Sequence, residues 1–403
     1  MRDNPKINAT GAHRLIWELN FPRPCGSEGE RRAAQLLLGH LKEIGVPGKL
    51  EPFSSPWIEA SDACVEIGGQ AVPVRPAIEP VLSGPFRPVP ETLDVTGILS
   101  LEIEGPSPSG EPRIVVHERC NYARANAAGA RAQLFLFEED PALVAYVLAS
   151  DQPVPSAYVP AEHRFWVREN LGQVARVRWG ARRFIKKLTN VSAEITGWGR
   201  PEEIVIVGAH LDSFPGTVGA SDNAAGCALL MEVARWFAEH PPMRTVRMVW
   251  FTGEEIDRRG SQAYVRDHLA EPERVVLYVN VDSGCSIEHG SVQVAVTGGD
   301  AVIGWAKELL ADRTPVPEVR QWAISSADVK AFWEDGVPTA WACARMVTPY
   351  PHPHLPTDTP DKIDLAKLQV VGDITLTLVD AAQQTDRLPF RRIRWDEGQG
   401  ASQ

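Results

Sequence analysis

The chain lacks any stretch of about 18 consecutive apolar residues, the minimum for a membrane-spanning helix, so no membrane partner is expected. It also lacks an excess of basic residues: 41 Lys and Arg stand against 52 Asp and Glu, for a net charge of −11. A nucleic-acid partner needs a basic face, so none is expected. No C-x-x-C pair occurs. Cys25, Cys64, Cys120, Cys227, Cys285 and Cys343 are scattered and are expected to be reduced and buried. The opening residues MRDNPKINATGAHRL contain no apolar core of a secretory signal, so the expected location is cytoplasmic. There the glycosylation-like triplet Asn190-Val191-Ser192 carries no meaning. No internal repeat occurs.

What is present is ordinary for a soluble globular protein: 403 residues, 44% hydrophobic and 23% charged. That length suits two or three domains, or one large α/β domain with an insertion. One stretch, Ile204 to Glu255, organises the rest. Two apolar, β-branched runs, Ile204–Val207 and Val246–Phe251, flank an amphipathic segment from Asp222 to His240. Short buried runs with a helix between them predict parallel strands in a βαβ unit. Open α/β sheets bind ligands beyond the carboxyl ends of their strands. His210 and the pair Glu254–Glu255 follow their strands by a few residues, so both fall at that edge.

Before this stretch, Ser27-Glu28-Gly29-Glu30 reads as a capping box opening a helix with Ala33, Leu36, Leu37, Leu41 and Ile44 on one face. Arg23, Arg31 and Arg32 read as its solvated side and loop. From Thr92 to Leu171 short β-type runs (Gly97–Ile103, Arg113–His117, Ala132–Phe137, Ala157–Val159) alternate with Pro/Gly/Ser loops, and one helix is expected at Tyr122–Ala128. No His, Cys or carboxylate cluster at ligand spacing occurs there, which marks an inserted, non-catalytic domain. The main sheet resumes at Asn190–Ile195 and continues through Val275–Val281, Val292–Val296 and Thr339–Cys343. Helices are expected at Val302–Ala311 and Asp361–Ala382. The expected organisation is a first segment of the main domain over 1–85, an insert over 86–180, the rest of the main domain over 181–388 and a loose tail over 389–403. The fold class is α/β, a mixed and mostly parallel sheet with helices on both faces, plus a smaller β-rich insert.

The chemistry lies in five places. His210-Leu211-Asp212 aligns two side chains on one side of an extended backbone, a metal-binding imidazole and a carboxylate able to fix its tautomer. Asp222 opens the amphipathic helix in Asp222-Asn223-Ala224-Ala225-Gly226, where Ser221, Asp222 or Asn223 would serve as the cap and Asp222 is free to bridge two metals. Glu254-Glu255 closes a buried strand, where one carboxylate can bind metal and the other take a proton from water. Asp282 closes the next strand. His354 precedes the last long helix. Each motif alone is weak, since loop residues and caps look the same. Together, His210, Asp222, Glu255, Asp282 and His354 supply two imidazoles and three carboxylates. That inventory suits two divalent metals, zinc first, with cobalt or manganese as alternatives.

These motifs resemble metallopeptidase family twenty-eight, the di-zinc aminopeptidases and their relatives. The resemblance rests on GAHLDS at 208–213, GASDNAAG at 219–226, FTGEE at 251–255, NVDSG at 280–284 and HLPTDTPDKID at 354–364. It covers about Asn190 to Ala382 and the helix at 27–44. The resemblance implies a phosphorylase/hydrolase-like α/β/α sandwich. It implies that His210 and Asp282 share one metal, that Glu255 and His354 share the other, and that Asp222 bridges. It assigns Glu254 as general base and Asp212 as the carboxylate orienting His210. The run NYARANAAGARAQLFLF at 121–137 resembles a protease-associated insert, which in such enzymes is tied to substrate access or subunit contacts; a homodimer is compatible with it. Two departures stand out. Many relatives carry Ser-Asp-His where this chain has Ser326-Ala327-Asp328-Val329, and some place Tyr before the last His, where this chain has Pro353. Tyr350 and His352 are the candidates to supply a transition-state hydrogen bond in its place.

The implied activity is an exopeptidase acting on peptides, an aminopeptidase foremost, with carboxypeptidase or dipeptidase action in the same family. A glutaminyl-cyclase-like acyltransferase keeps a single zinc, and a receptor-like binding protein on this fold loses ligands or the base. The full ligand set argues against both. Trp322, Trp333 and Trp341, near the last motif, read as core residues or as the wall of a specificity pocket.

Overall fold

The computed structural model describes residues 5–76, 92–101, 111–117, 130–136, 154–269, 274–282, 284–321, 327–345 and 354–392. The expected helix at Tyr122–Ala128, and Cys120, Trp322, Tyr350, His352 and Pro353, lie outside them. The strands in chain order are β1 (Gly48–Ile67), β2 (Gln70–Pro73), β3 (Arg75–Pro76), β4 (Leu93–Leu101), β5 (Arg113–His117), β6 (Ala132–Leu136), β7 (Ser156–Val159), β8 (Val174–Ile195), β9 (Arg200–His210), β10 (Arg244–Phe251), β11 (Val275–Asn280), β12 (Val292–Thr297), β13 (Glu318–Gln321) and β14 (Thr339–Ala344). Two compact units emerge. One comprises Met1–Phe53 with Lys187–Gln403, the other Ser54–Lys186.

In the first unit the strand order is β13-β12-β14-β11-β9-β10-β8. Four of the six pairings are parallel, while β12 with β14 and β10 with β8 are antiparallel. The sheet is buried on both sides, and successive residues of β9 alternate between two cores. Val205, Val207 and Ala209 join the larger core, with apolar residues of the helices Ala9–Glu18, Ala225–Glu239, Asp300–Leu310 and Leu365–Gln384. Ile204 and Ile206 join a second core with Tyr264 and Phe332, from the helices Arg259–His268 and Val329–Glu334. This is a three-layer α/β/α sandwich, and it explains why β9 and β10 read as continuous rather than alternating apolar runs.

Several local expectations need correction. Ser27 caps the helix Glu28–Glu43 by accepting from Glu30 N, but the capping box is not reciprocal. Ser27 N already donates to Pro24 O, so the Glu30 carboxylate turns to Gly26 N and to the Thr252 hydroxyl. The helix Ala9–Glu18 has no counterpart among the sequence expectations. Residues 389–392 are not loose: Phe390 is buried, and Arg392 Nε donates to Asp335 O at 2.6 Å. No disulfide occurs among the described residues; Cys64, Cys227, Cys285 and Cys343 are buried, and Cys25 is half-buried.

The second unit has the order β8-β4-β5-β6-β7-β3, with β4, β5, β6 and β7 mutually parallel. Its own core is built from Val65, Leu99, Ile114, Val116, Leu134, Val177 and their neighbours. It also includes β2 and most of β1, which precede residue 86. Nothing in their composition sets them apart from the residues before them, so only pairing assigns them to this unit.

Candidate metal centre

Strand register brings the site together. Gly208 of β9 pairs with Asn280 of β11, and His210 pairs with Phe251 of β10, so three adjacent parallel strands end at one edge. His210 is the last residue of β9. Glu254–Glu255 and Asp282 follow the ends of β10 and β11 within a few residues. Asp222 comes to the same edge in the turn Ala220–Ala224, and His354 in the loop before the helix Leu365–Gln384. Asp222 and Asn223 have non-helical dihedrals. The helix cap falls to Asn223, whose Oδ1 accepts from Gly226 N at 2.9 Å while its Nδ2 donates to Val281 O at 2.8 Å. Asp222 is thereby left to face the cleft.

Ligand-type atoms converge in two triads that share Asp222: His210, Asp222 and Asp282, and Asp222, Glu255 and His354. Within each, one such atom per residue lies within 4.8 Å of the others. A third grouping joins His210, Glu254 and Glu255. His354 Nε2 stands 3.1 Å from Asp222 Oδ2 and 3.0 Å from Glu255 Oε2. His210 Nε2 is 3.0 Å from Asp222 Oδ1. That pair is off the hydrogen-bond line, which suits two ligands of one cation better than a donor and its acceptor. Glu255 Oε1 is buried and accepts no hydrogen bond.

The charge balance points the same way. Asp222, Glu254, Glu255, Asp282 and Asp328 crowd two imidazoles in a site where Glu255, Asp328 and His210 are buried and the others partly so. Burial, reinforced by neighbouring carboxylates, pushes Asp282 up to about 7 and Glu254 well above the usual carboxylate range. Burial also raises Glu255 and takes Asp328 up to about 6. At Asp222 burial works in the same direction, but the close approach of the His210 and His354 imidazoles outweighs it and holds the group below its ordinary value. Burial disfavours charging the two histidines, yet the carboxylates around them raise both well above an ordinary imidazole. Such a surplus of buried anionic groups is offset by bound cations. The donor set of imidazole and carboxylate, with an orphaned Glu255 oxygen, fits zinc.

Asp212 lies in the site, but its contacts differ from the sequence expectation. Its Oδ1 is 3.7 Å from His210 Nδ1, and the ring nitrogen instead meets the Asp212 carbonyl oxygen at 3.1 Å. The carboxylate accepts from Glu254 N at 3.1 Å and from Glu255 N at 3.3 Å. Asp212 therefore orients His210 through its main chain and the Glu254–Glu255 turn through its side chain. The Trp341 indole donates to Asp282 O at 2.6 Å, which fixes the end of β11, and Trp333 is buried. Asp328 is buried beside the site, with Oδ1 accepting no hydrogen bond.

Three residues near the site escaped the sequence reading. The Phe214 ring stacks on His354 at 4.4 Å between centroids, against a ligand whose backbone sits at φ 64°. Arg23, expected in solvent, is fully buried. Asp358, inside the last motif but without an assigned role, is fully buried too. The run HLPTD at 354–358 was a signal for Asp358. For Arg23 no local signal existed.

Comparison with known proteins gives the family and the fold. Residues 190–379 match Peptidase family M28. Aminopeptidase YwaD of Bacillus subtilis is 25% identical over 394 residues, covering 91% of this chain and 83% of that protein. Carboxypeptidase Q of Bos taurus is 25% identical over 396 residues, covering 89% and 82%. The solved structure of a zinc aminopeptidase from Bacillus subtilis shares the fold, with a TM-score of 0.73 at 21% identity over 98% of this chain and 99% of that one.

Proposed function

From the premise that this chain belongs to peptidase family M28, we propose that it is a two-metal aminopeptidase removing N-terminal residues from peptides. The observation that carries the proposal is the pair of triads sharing Asp222. His210 and Asp282 would hold one zinc, Glu255 and His354 the other, with Asp222 between them. When bound, the two cations supply Lewis-acid polarisation of the scissile carbonyl and a water nucleophile near neutral pH. Glu254 accepts the proton from the attacking water, and the oxygen bonds to the carbonyl carbon. As the C–N bond breaks, Glu254 returns that proton to the leaving amine. Burial and neighbouring carboxylates raise Glu254, the direction that favours taking up a proton near neutral pH. Asp212, hydrogen-bonded to the Glu254 and Glu255 amides, keeps the two carboxylates on their separate tasks.

The unit Ser54–Lys186 would act as a protease-associated-type insert governing access or subunit contact, in a cytoplasmic enzyme. Similarity to carboxypeptidase Q favours one second reading, carboxypeptidase or dipeptidase action at the same centre. Mass spectrometry of products decides between them, using peptides with free and with acetylated N-termini, zinc-loaded protein and Glu254→Gln. Stepwise loss of N-terminal residues from free peptides alone, at least about 100-fold slower in Glu254→Gln, is the expected result. Trimming of acetylated peptides from the other end would replace the aminopeptidase reading. No cleavage of any peptide would overturn both.

A further inference from the structure

Five consecutive residues, Val218 to Asp222, lead the chain into the carboxylate shared by both triads, and every one of them is hydrogen-bonded to one of two buried, oppositely charged residues, four through a charged side chain and Ala220 through a main-chain carbonyl. On the carbonyl side, the Arg23 guanidinium donates to Val218 O and, at 3.1 Å, to Gly219 O. The same guanidinium donates to Leu211 O at 3.0 Å, just past His210, and to Leu19 O at 2.9 Å. Its backbone is tied in as well: Arg23 N donates to Ser213 Oγ, and Ser213 N donates to Arg23 O. On the amide side, Asp358 accepts from Ser221 N at 2.8 Å and from Asp222 N at 3.1 Å through its carboxylate, and from Ala220 N at 3.1 Å through its carbonyl. Gly219, at φ 52°, admits this path, because a Cβ there would stand 2.2 Å from Asp222 O.

Burying a guanidinium and a carboxylate is costly unless each is fully engaged. Here both are spent on the same five residues, from positions 195 and 136 residues away in sequence. Asp358 also lies four residues after His354, so one loop supplies a ligand of the second triad and the brace for the carboxylate it shares. We infer that Arg23 and Asp358 are positioning residues that together set the Asp222 carboxylate between the two metal positions. What Asp222 is positioned to do rests on the two-metal reading above; the brace itself does not.

The experiment combines hydrogen–deuterium exchange across residues 214–224 of the metal-free protein, zinc affinity by chelator competition, and the visible spectrum of the cobalt-loaded protein. It compares the wild type with Arg23→Lys, Asp358→Asn and the ligand variant Asp222→Asn. In Asp358→Asn an amide NH2 group replaces one of the two acceptors, so at least one of the Ser221 and Asp222 amides should exchange at least about tenfold faster. Zinc affinity should fall by about 10- to 100-fold, the range for residues that orient ligands, and the cobalt spectrum should change. Arg23→Lys should behave alike; if it does not fold, Ser213→Ala, which removes the acceptor of Arg23 N together with one donor to Thr217 O, takes its place. A lowered melting temperature with unchanged zinc affinity, cobalt spectrum and exchange in 218–222 would overturn the inference and leave both residues merely structural. If the wild type binds no zinc, the metal reading fails, and exchange alone still decides whether the brace exists.

Discussion

Two histidines, one in each unit, each end a buried parallel strand. His117 is the last residue of β5, and His210 is the last residue of β9. Both are buried. Their neighbours make them different. His117 Nε2 meets Gln133 Oε1 at 3.0 Å, the Gln133 amide passes on to Ser156 Oγ at 2.7 Å, and the imidazole stacks on Phe135 at 4.5 Å. Its Nε2 is answered by a neutral amide on the adjacent strand. His210 faces carboxylates brought from three other segments, and its Nε2 meets Asp222 without a hydrogen-bond alignment. Two parallel sheets thus present the same edge, but among the described residues only the first unit has loops that place anionic ligands there. Strand architecture makes the shelf, and the loops decide whether it holds anything.

Exchanging the two histidines gives the sharpest break in this comparison. His210→Gln should lower zinc affinity by more than about 100-fold and abolish peptide hydrolysis, since a ligand is lost outright. His117→Gln should leave both within about threefold while lowering stability by about 1–3 kcal/mol through disturbed buried hydrogen bonds. Chelator competition and urea unfolding read the two effects, and zinc loss in His117→Gln would erase the contrast between the units.

A smaller separation comes from two crowded glycines. At Gly226 a Cβ would stand 2.1 Å from Val281 O and 2.2 Å from Asn223 Oδ1, beside the turn carrying Asp222. At Gly97 in the second unit a Cβ would stand 2.8 Å from Pro112 O. Each Gly→Ala change should cost roughly 1–3 kcal/mol by overpacking. Only Gly226→Ala should also weaken zinc binding. Equal zinc affinity in the two variants would show that the Asn223 cap does not position Asp222.

The smallest expected effect lies in the first unit but away from the candidate metal centre. At Glu51 partial burial favours the neutral acid, yet the close approach of His268 and Lys49 and a hydrogen bond from Ser192 prevail and hold the group at about 2, against an ordinary 4.5. A depressed carboxyl contributes stability that is full above the ordinary value and fades as pH falls toward about 2. The group is partly solvated, so the contribution should be below about 1 kcal/mol. Melting curves from pH 6 to pH 2 should show Glu51→Gln losing slightly less stability than the wild type. Parallel curves would show that these contacts do not favour the charged form.

Much of the molecule was legible in the chain itself. The βαβ stretch from Ile204 to Glu255 and the strand starting at Val275 follow from β-branched runs, because a strand buried on both faces has no room for polar alternation. Arg113–His117 was delimited correctly for the same reason. His210, Asp222, Glu255, Asp282 and His354 were legible because metal chemistry restricts the residue types and strand ends restrict their places. The reach of the second unit back into β1 was not legible, because pairing between distant strands leaves no mark in local composition.

The sequence by itself determined which side chains could serve a metal centre and which strands would carry them, since both follow from local chemistry and periodicity. Only the tertiary structure decided who holds those side chains in place. The Asp212 carboxylate serves the Glu254 and Glu255 amides as well as standing 3.7 Å from the His210 ring, which its carbonyl oxygen also meets. Asn223 takes the cap and leaves Asp222 to the cleft. Arg23, an unremarkable loop arginine by sequence, is buried among the carbonyls of Leu19, Leu211, Val218 and Gly219. The physical reason is common to all three. A buried polar group must find its partner wherever the fold brings one, and those partners come from turns and chain segments whose approach no local pattern encodes.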